Sequence, residues 1–126
     1  MVSLVAATTV YADTPIKDRQ AWISGAFSQL QKGDISEIQK LLDETLGQEM
    51  HNDVMRTVMS LDDIVGDAKL LSYDELSVEK LGQSFEVYEY AAYYGGRDYL
   101  FFRFTFTRLG KTWHLWSLDY TEDLPE

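Results

Sequence analysis

Two carboxylates pose the chemical question in this 126-residue chain: Glu89 within Val87-Tyr88-Glu89-Tyr90-Ala91, and Asp119 within Ser117-Leu118-Asp119-Tyr120. A carboxyl withdrawn from water has a raised pKa and can pass a proton as general acid or base. Each alternates with apolar neighbours, so a strand would aim it at one face. If that face is enclosed, the pair suits proton transfer of the isomerase or dehydratase type. If it is wet, Glu89 is a rim residue hydrogen-bonded to Ser117 or to a tyrosine, and this plainer reading is preferred. His51 and His114 are far apart and lack metal-ligand spacing, so no metal and no cofactor is expected. Cysteine is absent, which excludes disulfides and thiolate nucleophiles. No nucleophile elbow, dinucleotide fingerprint or P-loop occurs. The acidic pairs Asp43-Glu44, Asp62-Asp63 and Asp74-Glu75 lack the spacing of a calcium loop.

The formal charge is -10 and the pI near 4.5. That field repels phosphate backbones, so nucleic acid is not an expected partner. No apolar run approaches the ~18 residues of a membrane span, so no membrane insertion is expected. Residues 1–12 read MVSLVAATTVYA, with Val10 and Ala12 at the −3 and −1 positions of a signal-peptidase site. This predicts export to the periplasm or beyond, cleavage after Ala12, and a single domain over 13–126. No Lys or Arg precedes the apolar stretch, which fits a start assigned too late. The alternative is an N-terminal strand, since Val and Thr favour strands.

The elements that must position these groups follow from periodicity. Thr14-Pro15 reads as a helix start, followed by Ile16, Ile23, Phe27 and Leu30 at helical spacing up to Gly33. Asp34 with Glu37 makes a capping pattern for a second helix bearing Ile38, Leu41 and Leu42. A third helix is predicted from about Thr45 to Asp63, with the stripe Leu46, Met50, Val54, Val58 and Leu61. From residue 68 the chain alternates as strands do, with turns at Gly82, Gly95-Gly96 and Leu109-Gly110. Helices first and an antiparallel meander last predict an α+β fold: N-terminal helices on a sheet of about four strands.

Two-residue turns give a register in which Ala91 meets Leu100 and Phe104 meets Leu115. The inner face then carries Phe85, Val87, Glu89, Ala91, Leu100, Phe102, Phe104, Phe106, Trp113, Leu115, Ser117 and Asp119. The outer face carries Tyr88, Tyr90, Tyr99, Phe101, Arg103, Thr105, His114, Trp116, Leu118 and Tyr120. A three-residue loop or a bulge would invert this parity.

The Leu61-x-x-x-x-Gly66 helix exit, Leu81-Gly82 before a tyrosine-rich strand, the Phe-rich hairpin and the final Trp113-x-Leu115 together resemble the nuclear transport factor 2-like, or cystatin-like, α+β roll. Small exported bacterial members are the nearest in character, and the resemblance spans about residues 15–120. It implies a curved sheet around helices, often a conical pocket, and dimerisation through the outer face. It implies no one activity. The protease-inhibitor wedge Gln-x-Val-x-Gly of cystatins is absent.

The reading that emerges is a non-enzymatic exported binding module. A small apolar ligand would sit among Phe27, Phe102, Phe104 and Trp113, although these rings serve equally well as core. Tyr88, Tyr90, Tyr99, Phe101, Arg103, Trp116 and Tyr120 would form an interface, most simply a homodimer or otherwise a protein partner, because Tyr, Trp and Arg dominate interface hot spots. The alternatives are the Glu89–Asp119 proton-transfer enzyme and an acidic inhibitor or immunity-type protein covering a basic partner.

Overall fold

The computed structural model describes residues 15–33, 35–45, 48–96 and 99–123, with the backbone alone at 35, 37, 44 and 48–51. The leader reading, Thr14, the Asp34 cap, Leu46 and the side chains of Met50 and His51 lie outside the described residues. The described residues form three helices, α1 (Arg19–Lys32), α2 (Ile35–Thr45) and α3 (Gln48–Val65), and then four strands, β1 (Leu70–Leu81), β2 (Phe85–Tyr94), β3 (Tyr99–Leu109) and β4 (Thr112–Thr121). They pair antiparallel in the order β1-β2-β3-β4, each with its neighbour in sequence. The fold is α+β, with helices packed on one face of a four-stranded antiparallel sheet.

α1 begins four residues later than the Thr14-Pro15 signal predicts. Asp18 is its N-cap, in extended conformation, and its carboxylate accepts from Ala21 N–H at 3.0 Å. The residues before it form a strap outside the helix, bent at Lys17. Ile16 is buried and its N–H donates to Trp113 O at 2.8 Å, which ties the strap to β4. At the other end Gly33 adopts φ 70, the left-handed C-cap that a side chain would strain. The third helix starts at Gln48, not Thr45. Thr45 ends α2, donating to Leu41 O at 2.7 Å and accepting from Trp22 Nε1 at 3.1 Å.

The core is aromatic. Phe27 of α1 is fully buried, stacked on Tyr73 at 4.3 Å and edge-on to Phe102 and Phe104 at 5.3 and 5.7 Å. Ile23, Leu42, Val58 and Leu61 close the helical side over Leu100, Phe106 and Leu115. Burying each large side chain contributes about 1.5–3 kcal/mol.

The register departs from the two-turn reading in two places. Tyr93 pairs with Tyr99 and Ala92 with Leu100, so five residues, an odd number, lie between the last paired residues of β2 and β3. This one-residue slip turns β2 over: Glu86, Tyr88, Tyr90, Ala92 and Tyr94 face the helices, while Phe85, Val87, Glu89 and Tyr93 face out. The second turn is Gly110-Lys111, with Leu109 opposite Thr112 and Gly110 at φ 66, the positive angle a primed hairpin turn needs. That two-residue shift keeps Trp113 and Leu115 inside. A bulge at Trp116 then inverts the rest of β4, sending Leu118 and Tyr120 inward and Ser117 and Asp119 outward.

Candidate interaction face

The outer face of the sheet is built around one polar row. Ser77, Glu89, Arg103 and Asp119 stand side by side across β1, β2, β3 and β4. Arg103 Nη2 lies 3.5 Å from Glu89 Oε2, and Ser77 Oγ donates to Glu89 Oε1 at 3.4 Å. Aromatic clusters flank the row. On one side Tyr99 lies between Tyr93 (5.3 Å) and Phe101 (6.2 Å, stacked). On the other Trp116 meets the edge of Phe85 at 6.1 Å. Tyr99 and Trp116 keep 51% and 50% of their surface exposed, whereas Leu100, Phe102, Phe104 and Phe106 on the opposite face are buried. A shallow cleft of about 200 Å³ runs beside the row, lined by Glu89, Phe101, Arg103, Asp119 and Tyr120.

The structure thus brings Glu89 and Asp119 onto one face, as the alternation suggested, but the open one. Glu89 is held by Arg103 and Ser77, and Asp119 lies beyond the guanidinium. Of the residues read as an interface, Tyr99, Phe101, Arg103 and Trp116 stand on the outer face. Tyr88 and Tyr90 do not: each is 6% exposed and belongs to the core, because β2 is turned over. Tyr120 is also turned inward, its hydroxyl 2.8 Å from Ser60 Oγ. Phe85 and Tyr93 take their places, and only knowledge of the loop length would have shown it. His114 is buried opposite Thr107, with Nε2 2.8 Å from Thr112 Oγ1.

Phe27, Phe102 and Phe104 pack ring against ring and fill the space read as a pocket. Trp113 is half-buried at the strap, with the Arg19 guanidinium 4.5 Å above its ring. Arg19 continues to Glu86, donating from Nε to Oε1 at 2.8 Å and from Nη2 to Oε2 at 3.3 Å. Tyr88 donates to the same Oε1 at 3.0 Å. Glu86 is 5% exposed, and this buried pair anchors the start of α1 to the sheet. Burial alone would lower the Arg19 pKa; the Glu86 carboxylate outweighs it and holds the guanidinium above its usual value. Burial, then Glu86, raises the Tyr88 phenol; burial, then Glu75, raises that of Tyr90. A second tie parallels the first, Gln20 and Tyr90 both donating to Glu75 Oε1 at 2.7 and 3.1 Å.

Among the described residues, Leu30, Ile38, Val58, Leu61, Val65 and Tyr94 line a cavity of about 70 Å³. Tyr94 is 2% exposed, and burial pushes its phenol up to about 12. Unfolded tyrosine ionises near 10, so the unfolded state sheds this proton first. Stability from Tyr94 is therefore complete below about pH 10 and is lost as pH rises toward 12, by about 2–3 kcal/mol in all. Urea melts at pH 9 and pH 11.5 should differ by more in the wild type than in Tyr94→Phe. An equal pH effect in both would refute this.

No family model, curated protein or solved structure matches the chain. Among the described residues no helix is long and apolar enough to cross a membrane.

Proposed function

We propose that this chain is a binding module that self-associates through the outer face of its sheet. One observation carries the reading: an exposed aromatic surface, Tyr93/Tyr99/Phe101 and Phe85/Trp116, brackets the Glu89–Arg103 pair. Four strands about 4.8 Å apart and about ten residues long present about 600 Å², close to the ~800 Å² per partner of a standard interface. Proton chemistry is disfavoured because Glu89 and Asp119 line an open face beside a guanidinium. The order of elements supports membership of the nuclear transport factor 2-like superfamily, and the pattern of residues 1–12 supports action outside the cytoplasm.

Sedimentation of the wild type should give a dimer at micromolar concentration. Tyr99→Lys with Trp116→Lys should give a folded monomer, since both side chains are half exposed and contribute little to the core. A monomeric wild type, or an unchanged oligomer in the double variant, would sink the reading.

A further inference from the structure

β4 ends the sheet, so one of its backbone edges has no strand partner among the described elements. Two hydrogen bonds show which residues face that edge. Arg108 N–H donates to Ser84 O, on the β2 side, at 2.8 Å. Trp113, opposite Arg108, accepts from Ile16 N–H on the other side. Arg108 and Trp113 therefore form a pair that is not hydrogen-bonded to each other, and alternation turns the backbone of Leu115 outward next. The bulge at Trp116 adds one residue. Ser117, Asp119 and Thr121 then pair with Thr105, Arg103 and Phe101, which leaves the N–H and C=O groups of Leu118 and Tyr120 pointing out.

At its Trp113 end this edge is already used by the strap, through the Ile16 N–H. From Leu115 onward it opens into a groove between β4 and α3. Two adjoining hollows of about 310 and 470 Å³ share Asp53, Thr57 and Asp119. Trp116 and Leu118 form the apolar end, and Arg56, Ser60 and Tyr120 the polar end. Leu115 to Tyr120 spans about 17 Å, room for five residues of a parallel-lying chain.

We propose that this groove takes an extended peptide segment of a partner as a fifth strand, with a Lys or Arg side chain on the outer face against Asp119 and an apolar side chain on the opposite face against Leu118. Asp119 selects the charge. It is exposed, it borders both hollows, and among the described residues it has no ion-pair or hydrogen-bond partner, because Arg103 turns to Glu89. Asp53 adds a second carboxylate, held only by a solvent-exposed contact with Arg56 at 3.2 Å, of the kind that contributes little. The chain's charge of -10 also disfavours acidic segments. Main-chain bonds would supply affinity, and the two side-chain positions selectivity. The opposite edge is less receptive: β1 carries Asp74, Glu75, Glu79 and Lys80 and two register shifts within 12 residues, features that blunt strand pairing.

The probe is a capped seven-residue peptide alternating valine and lysine, titrated into isotope-labelled full-length protein. Two control peptides replace lysine by glutamate or methylate every second backbone nitrogen. The lysine peptide should give saturable amide shifts along β4 and the facing turns of α3, and should slow hydrogen exchange at Leu115, Leu118 and Tyr120. The glutamate peptide should bind at least about tenfold more weakly, and Asp119→Lys should cost the lysine peptide a similar factor while melting with the wild type. The methylated peptide should also lose at least about tenfold, which charge attraction alone would not produce. No saturable shift in the groove overturns the proposal, as does equal binding of the methylated peptide. Slow exchange at those three amides in the protein alone also overturns it, because the edge would then be occupied by the chain itself.

Discussion

Phe27→Ala should lower the free energy of unfolding by about 3–5 kcal/mol, a large part of the ~5–15 kcal/mol available to a domain of this size. The ring is fully buried and touches Tyr73, Tyr90, Phe102 and Phe104, residues drawn from three different strands. Removing it costs the transfer of the ring from water and the cavity left behind. That cavity cannot collapse easily, because stiff aromatic neighbours on β1, β2 and β3 line it. Phe27→Leu keeps most of the volume and should cost clearly less. Urea unfolding measures both. A loss below about 1.5 kcal/mol for the alanine variant would mean that α1 does not pack here.

Arg19→Met should cost about 2–4 kcal/mol. The guanidinium leaves behind a carboxylate, Glu86, that is 5% exposed and retains only the Tyr88 hydroxyl. An uncompensated buried charge costs more than the ion pair ever contributed. The figure sits below the upper range for buried pairs because Arg19 keeps 20% of its side chain in water. Adding Glu86→Leu to Arg19→Met should recover most of the loss, since two apolar groups can replace a buried pair at little net cost. The double-mutant cycle isolates the coupling. Additive losses in the two single variants would show that the pair does not hold α1 to the sheet.

The fold class could be read because helical spacing ends at Gly66 and alternation begins near residue 68, and both signals are local. The inner faces of β3 and of early β4 could be read for the same reason: Leu100, Phe102, Phe104 and Phe106 have no polar competitor on their side. β2 could not. It carries tyrosines or apolar residues on both faces, so its pattern fits either orientation, and the choice passes to a loop whose length has no strong signature beyond Gly95-Gly96. The Trp116 bulge is still less legible, because an extra residue leaves no mark on a strand of mixed polarity. Those two events moved Glu89 and Asp119 from an imagined pocket to the open face and took Tyr88 and Tyr90 into the core. The Glu86–Arg19 pair is not legible because the two residues lie 67 positions apart. Asp18 went unread as a cap because Thr14-Pro15 offers the stronger local pattern, and the strap that displaces it depends on β4.

The same separation governs the order in which the molecule can be completed during synthesis. The sheet is a meander, so each hairpin can close as soon as its second strand is made. α1 is made before any of them, but its anchors are Glu86 on the second strand and Trp113 on the fourth. At about 5–20 residues per second, the 67 residues between Arg19 and Glu86 represent about 3–13 s of translation. Throughout that interval Ile23 and Phe27 have no sheet to cover, and the first helix made waits for nearly the last strand. The growing chain thus carries Ile23 and Phe27 unshielded by the sheet for seconds, a period in which a holdase or a translocation factor has an opportunity to engage them.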